Sequence, residues 1–352
     1  MKLRNLSEQS AKKLFFVLGA VLLLLILILA LFPLLDGDSR KHEAVTYSMD
    51  TYVHQTVYGK DRETAAAQAA NHVQLFADRA AWDGESSEIL TLNAQAGMEW
   101  ITLSEDIFSM LLTAKDVSEK SGGAFDITIA PVSRLWDFEN ARCEVPDGEL
   151  LSELLGYVGQ ENLRLGAADH SASLKFHGNA LDPQPVLFGA ACNAAIDTYK
   201  AHAVSGAIVS VGRSVGVFGQ KPDGTLWNVA VPTPEGEDAL GFVSLKEGFL
   251  SSVSIYENAF EKDGRLYGSV LDPKTGYPAE SDLVSAAVYS RDGVLSDALA
   301  AACIVLGREE SLALLEEYGA EAVFVGKDGT VTATPGIKDR FELTNENFTM
   351  QE

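Results

Sequence analysis

The sequence predicts a mixed α/β domain of the α+β type, carried behind an N-terminal transmembrane helix. Runs of β-branched and aromatic residues in two-residue alternation are interspersed with Ala- and Leu-rich runs at helical spacing. Hairpin-type turns lie among them, so the sheet is not of the purely parallel kind. Ahead of both stands Leu14 to Leu35, 22 residues without a charge or a strongly polar side chain. That run is long enough to cross a bilayer as a helix.

Lys2, Arg4, Lys12 and Lys13 precede the apolar run, whereas Arg40 and Lys41 follow it, offset by Asp36 and Asp38. Lys and Arg mark the cytoplasmic side of a span, so residues 1–13 form an inner leader and the body lies outside. The run exceeds the core of a cleavable signal and no small-x-small site follows, so 14–35 reads as an uncleaved, single-pass anchor and 36–44 as a linker. The folded domain is expected over 45–340, with 341–352 as a C-terminal tail.

Along the body, residues 44–59 alternate as one strand and the Ala-rich 61–81 form a helix. A second helix starts at an N-cap on Ser104 and stops at Gly122 and Gly123. After an irregular stretch over 124–150 come a short helix at 152–159, strands at 163–168 and 172–178, and an Ala-rich helix over 189–204. Residues 207–219 and 226–232 read as paired strands around a turn at 221–224. Strands follow at 242–256 and 265–272, helices at 296–307 and 309–319, and a closing hairpin turns at Lys327, Asp328 and Gly329.

The chain has 352 residues, 27 Lys+Arg, 50 Asp+Glu and a net charge of −23. Residues 1–41 hold six basic and three acidic side chains, so they carry +3 and the remainder carries −26. Such a body repels a phosphate backbone, which excludes nucleic-acid binding as the main task and suits solubility or attraction of cations. Cys143, Cys192 and Cys303 lack any paired metal spacing and allow at most one disulfide. Cys192 and Cys303 lie in apolar runs, as small buried side chains do.

Three stretches concentrate unusual residue types. In SGGAFDITIAPVSRLWDF, 121–138, two glycines permit a tight turn and close backbone approach, while Phe125 and Trp136 can stack on a planar ring; a helix C-cap followed by a core loop is the plainer alternative. In LYGSVLDPKTGYPAE, 266–280, Asp272, Pro273 and Gly276 supply strong turn chemistry. In LSDALAAACIVLG, 295–307, Asp297 is a lone acid among apolar residues, and it either caps the helix, pairs, or binds a metal.

Taken in order with MDTYVHQTVYG, GESSEILTLN, LFGAACNAAID and VSVGRSVGVFGQKPDGTLWNVAV, these stretches resemble the ApbE family of FAD:protein FMN transferases over about 45–310. The resemblance implies an extracytoplasmic protein of a bacterial cytoplasmic membrane that takes FAD as substrate with Mg²⁺. It would attach FMN to a Thr of a target flavoprotein through a phosphoester and release AMP. It puts Asp297 and the carbonyl of Gly189 at the metal, and Met49, Ala124, Phe125, Asp126 and Leu271 at the flavin.

Other positions depart from the family pattern. Ala301 stands where the family has a Thr metal ligand, and Ser269 where it has a His, so no catalytic residue is assigned. Val186-Leu187-Phe188-Gly189 replaces Asp-Leu-Gly-Gly, Cys192 replaces a Lys or acidic residue, Asn193 replaces a Gly, and Gly212-Arg213-Ser214 replaces Gly-Gly-Asn. Val253-Ser254-Ile255-Tyr256-Glu257 stands in place of Ser-Gly-Asp-Tyr-Glu. The alternative expectation is therefore a catalytically impaired, membrane-anchored relative that binds flavin or a partner. Lys274 and Arg213 are candidate substitute charges, with solvated turn residues as their plainer description.

Overall fold

Nine strands follow one another across a single sheet in chain order: β1 (Lys41–Ser48), β2 (Thr51–Gly59), β3 (Val204–Val211), β4 (Ser214–Gly219), β5 (Gly248–Ser254), β6 (Leu283–Ser290), β7 (Glu321–Gly326), β8 (Thr330–Ala333) and β9 (Thr349–Met350). Neighbours are antiparallel except β8 and β9, which are parallel. This computed structural model describes residues 40–82, 84, 86–138 and 143–351, together with Gly19 and Val21. The leader 1–13, the anchor 14–35 apart from Gly19 and Val21, and residues 36–39 of the linker thus lie outside the described residues. Among the described residues no helix is long and apolar enough to cross a membrane.

The six longer or site-bearing helices are α1 (Arg62–Ala80), α2 (Glu105–Lys120), α3 (Ala130–Trp136), α4 (Leu187–Lys200), α5 (Gly293–Leu306) and α6 (Arg308–Tyr318). Phe76 of α1, Ile107 of α2, Ala195 of α4 and Leu299 of α5 pack with Val53, Val209 and Val288 in a core on one face of the sheet. A three-stranded sheet (227–232, 239–245 and 341–343) covers the other face, where Trp227, Val229 and Val243 meet Leu250 and Val323. Successive side chains of a strand point to opposite faces, so β6 sends Ala286 and Val288 to the first core and Ala287 to the second, while a register shift between Leu283 and Ser285 turns Val284 to the second core as well. That double burial explains why its sequence is apolar almost throughout rather than alternating.

Several expectations need correction. Residues 44–59 are a hairpin, because Met49 and Asp50 both take left-handed backbone (φ 52° and 56°) and reverse the chain. Residues 207–219 form a second hairpin that turns at Gly212 and Arg213, and 226–232 pairs with 239–245 in the other sheet. The stretch 124–150 contains α3 and a helix at Gly148–Leu155. Strand β1 begins inside the presumed linker, and the presumed tail contributes Phe341–Leu343 and Thr349–Met350 to two sheets. Ser104 is the N-cap residue of α2, but its hydroxyl donates to Glu88 instead of accepting from the helix. Helix α5 starts at Gly293 with Asp292 as its N-cap, so Asp297 does not cap it.

Candidate functional site

The two segments with the strongest motif character are tied together. Asp272 accepts the N–H of Lys274 on its side chain and those of Thr275 and Gly276 on its carbonyl, closing a tight turn in which Gly276 takes φ 71°. The Trp136 indole, buried at the end of α3, donates to the Gly276 carbonyl over 2.7 Å. Phe138, Phe260, Tyr267 and Tyr277 surround that indole with ring centroids within 6.5 Å. An aromatic block thus fixes the 121–138 segment against the 266–280 segment, and a cavity of about 470 Å³ opens beside them.

Of the residues assigned from the resemblance, Ala124, Phe125, Asp126 and Leu271 line this cavity, as do Ser269 and Ala301. Asp126 is buried, and its Oδ1 accepts both the N–H and the hydroxyl of Thr128. Burial pushes its carboxyl above the usual range, although the Thr128 hydrogen bonds pull the other way. Ser269 donates its hydroxyl to the Glu257 carbonyl over 2.9 Å. Met49 is absent from the lining and packs at its hairpin turn against the helical core.

Asp297 and Gly189 come together behind the cavity rather than on its wall. Asp297 is fully buried; one carboxylate oxygen accepts the Gly189 N–H at 2.7 Å and the other the Ser214 hydroxyl at 2.5 Å. Burial pushes its pKa up, opposed by the positive charge of Arg213 and by those hydrogen bonds. Gly189 and Gly293 mark where α4 and α5 meet backbone to backbone: a Cβ on either would sit 2.0 Å from the other's carbonyl oxygen. The Gly189 carbonyl therefore packs against the Gly293 backbone. Asn193, one turn on, accepts the Gly293 N–H and donates to Asp292, fastening the start of α5 to α4.

A resident divalent cation does not fit this donor set. Mg²⁺ takes oxygen ligands in near-octahedral array. Here both oxygens of Asp297 already receive hydrogens, Ala301 offers no oxygen side chain, and a guanidinium lies nearby. No group of three or more His, Cys, Asp or Glu among the described residues is placed to hold a metal.

Asp182, Arg134 and Trp82 also line the cavity and escaped sequence reasoning. Asp182 is buried in the wall, accepting the Ser133 hydroxyl and the Gln184 N–H. It supplies a carboxylate four residues before Val186, which is itself sealed in the core. Arg134 extends over the Trp82 ring at 4.5 Å, and both line the cavity. Arg213 is no solvated turn residue, because it lines the cavity, donates to Glu257 over 2.8 Å and lies 5.5 Å from the Phe188 ring centroid. Cys192 and Cys303 are fully buried free thiols, and burial pushes the latter up to about 12.

Comparison with known proteins agrees with this layout. The sequence profile of the ApbE family matches residues 49–324. An FAD:protein FMN transferase of Treponema pallidum is 33% identical over 284 residues, covering 76% of this chain and 78% of that protein. Its counterpart in Escherichia coli K12 is 25% identical over 80% of this chain and 83% of its own. The apo crystal structure of the Pseudomonas stutzeri flavinyl transferase ApbE superposes with TM-score 0.76 at 25% identity, covering 87% of this chain and 98% of the other. The ApbE protein of Thermotoga maritima gives 0.75 at 25% identity, over 86% and 99%. The motif segments that wall the cavity lie within the matched region, and the chain belongs to the ApbE family.

Proposed function

We propose that this chain is an FAD:protein FMN transferase, holding FAD in the cavity and passing its FMN moiety to a Thr of a target flavoprotein. The observation that carries this reading is the cavity between the two motif segments, which the Trp136–Gly276 hydrogen bond locks together. Its wall combines apolar faces from Ala124, Phe125 and Leu271, suited to a flat ring, with charged side chains suited to phosphates. In the transfer, the Thr hydroxyl oxygen forms a bond to the FMN phosphorus, the bond from that phosphorus to the bridging oxygen breaks, and AMP leaves. The Thr proton has acceptors within the cavity in the carboxylates of Asp182 and Glu257.

The Mg²⁺ that the resemblance assigns to Asp297 and Gly189 would supply charge neutralisation at the pyrophosphate. The donors on both oxygens of Asp297 stand against a cation there. A second reading, flavin binding without transfer, is favoured by Ser269, whose hydroxyl is engaged with Glu257 where the resemblance leads one to expect an imidazole. In either case residues 14–35 anchor the body outside a bacterial cytoplasmic membrane.

The test is incubation of the full chain with FAD and a flavoprotein carrying the acceptor Thr, read as flavin fluorescence on a denaturing gel. Covalent flavin on the acceptor supports transfer. Its absence, with a working relative in parallel, would leave flavin binding as the function.

A further inference from the structure

The departures from the family pattern are scattered in sequence but adjacent in space. Phe188 opens α4, Arg213 and Ser214 lie at the β3–β4 turn, and Ala301 lies on α5. The Phe188 ring lies on Gly212, where an added Cβ would approach it to 2.4 Å, and beneath the guanidinium of Arg213. Ser214 occupies one oxygen of Asp297, and Ala301 removes a hydroxyl from the same cavity wall that Arg213 enters. Two positions where a glycine is expected thus carry a stacked aromatic and cation, while the expected metal-binding position has lost an oxygen donor.

We propose that Arg213 is the cation that receives the phosphate of a flavin nucleotide in this cavity, in the place of a metal ion. The inference rests on the flavin reading above and adds how the phosphate is held. The lining carries the carboxylates of Asp126, Asp137, Asp182 and Glu257 against the guanidinium groups of Arg134 and Arg213, so an anion needs a local cation to enter. Arg213 is held ready by the Phe188 ring on one side and Glu257 on the other. Only Nη1 of its fork goes to Glu257, at 2.8 Å, which leaves Nη2 unclaimed in a side chain that lines the cavity. A phosphate oxygen entering the cavity would accept from it. A planar guanidinium suits such an oxyanion because its parallel N–H groups can bind two oxygens at once.

Titration of the full chain in detergent micelles with FAD, FMN and riboflavin, read by flavin fluorescence in EDTA and in Mg²⁺, tests this directly. FAD and FMN are expected to bind in EDTA within about twofold of their affinity in Mg²⁺. Arg213→Gln should weaken both about ten- to a hundredfold, the usual worth of a charged hydrogen bond, and leave riboflavin, which has no phosphate, unchanged. Arg213→Lys, which keeps the charge but not the fork, should fall between. Binding of FAD by the wild-type chain only when Mg²⁺ is present would overturn the proposal, as would an Arg213→Gln chain that binds FAD like wild type. Should Arg213→Gln also lose riboflavin through misfolding, the Lys variant and the EDTA comparison decide on the same terms. Failure of the wild-type chain to bind any flavin would overturn the flavin reading itself, a result distinct from FAD binding that ignores Arg213.

Discussion

Asp297 illustrates how much one carboxylate depends on its surroundings. Helix α5 begins at Gly293, four residues before Asp297, with its N-cap at Asp292, and Asp297 is fully buried within its second turn. Removing it by Asp297→Ala leaves the Ser214 hydroxyl and the Gly189 N–H buried and unpaired, and should lower the unfolding free energy by about 3 kcal/mol in urea titration, with or without flavin. A purely metal-binding role would instead leave apo stability unchanged. Asp126 gives a pH signature. Burial raises its carboxyl above 3.8, so the native chain keeps a proton that the unfolded chain has released. Its contribution is whole below 3.8 and is lost as pH rises through the folded pKa. Asp126→Asn, which retains an Oδ1 acceptor for Thr128, should therefore gain stability relative to wild type as pH is raised toward neutrality. Equal pH dependence of the two chains in urea titration would contradict this.

Among the elements, turns decided what the sequence could reveal. The closing hairpin at Lys327, Asp328 and Gly329 was legible because Asp-Gly is strong turn chemistry, and the DPKTG turn was legible for the same reason. The β1–β2 turn was not, because Met49 is unusual in left-handed backbone, no glycine marks the turn, and the alternation runs through it unbroken. Asp50→Gly should relieve that backbone cost and raise the unfolding free energy by about 1 kcal/mol. The Ala-rich helices were legible from spacing, but the Gly189–Gly293 approach that joins α4 to α5 was not, since contact between distant glycines leaves no local pattern. Gly189→Ala should cost about 2 kcal/mol or more in thermal or urea unfolding, because the obstacle is backbone and cannot swing away. The motif segments of the site could be read as flavin-contacting stretches. The gathering of Phe188, Arg213 and Glu257 could not, because it arises only when the β3–β4 turn, α4 and the segment after β5 converge.

At the scale of the whole molecule, one sheet separates two cores, and the cavity lies at the edge of the helical one, where α5 and the motif segments meet. The acidic character of the body sharpens the problem that the site has to solve. With −26 charges on residues 42–352, an anionic flavin nucleotide meets an unfavourable field, and the cations that line the cavity must overcome it locally. FAD binding should therefore depend on ionic strength and on Arg213, whereas riboflavin binding should depend on neither. The most direct measurement is the fluorescence titration of the full wild-type chain with FAD in the presence of EDTA. Saturable quenching of the flavin, diminished about tenfold or more by Arg213→Gln, is the expected result. Absence of quenching until Mg²⁺ is added would contradict a cavity whose phosphate is held by an arginine.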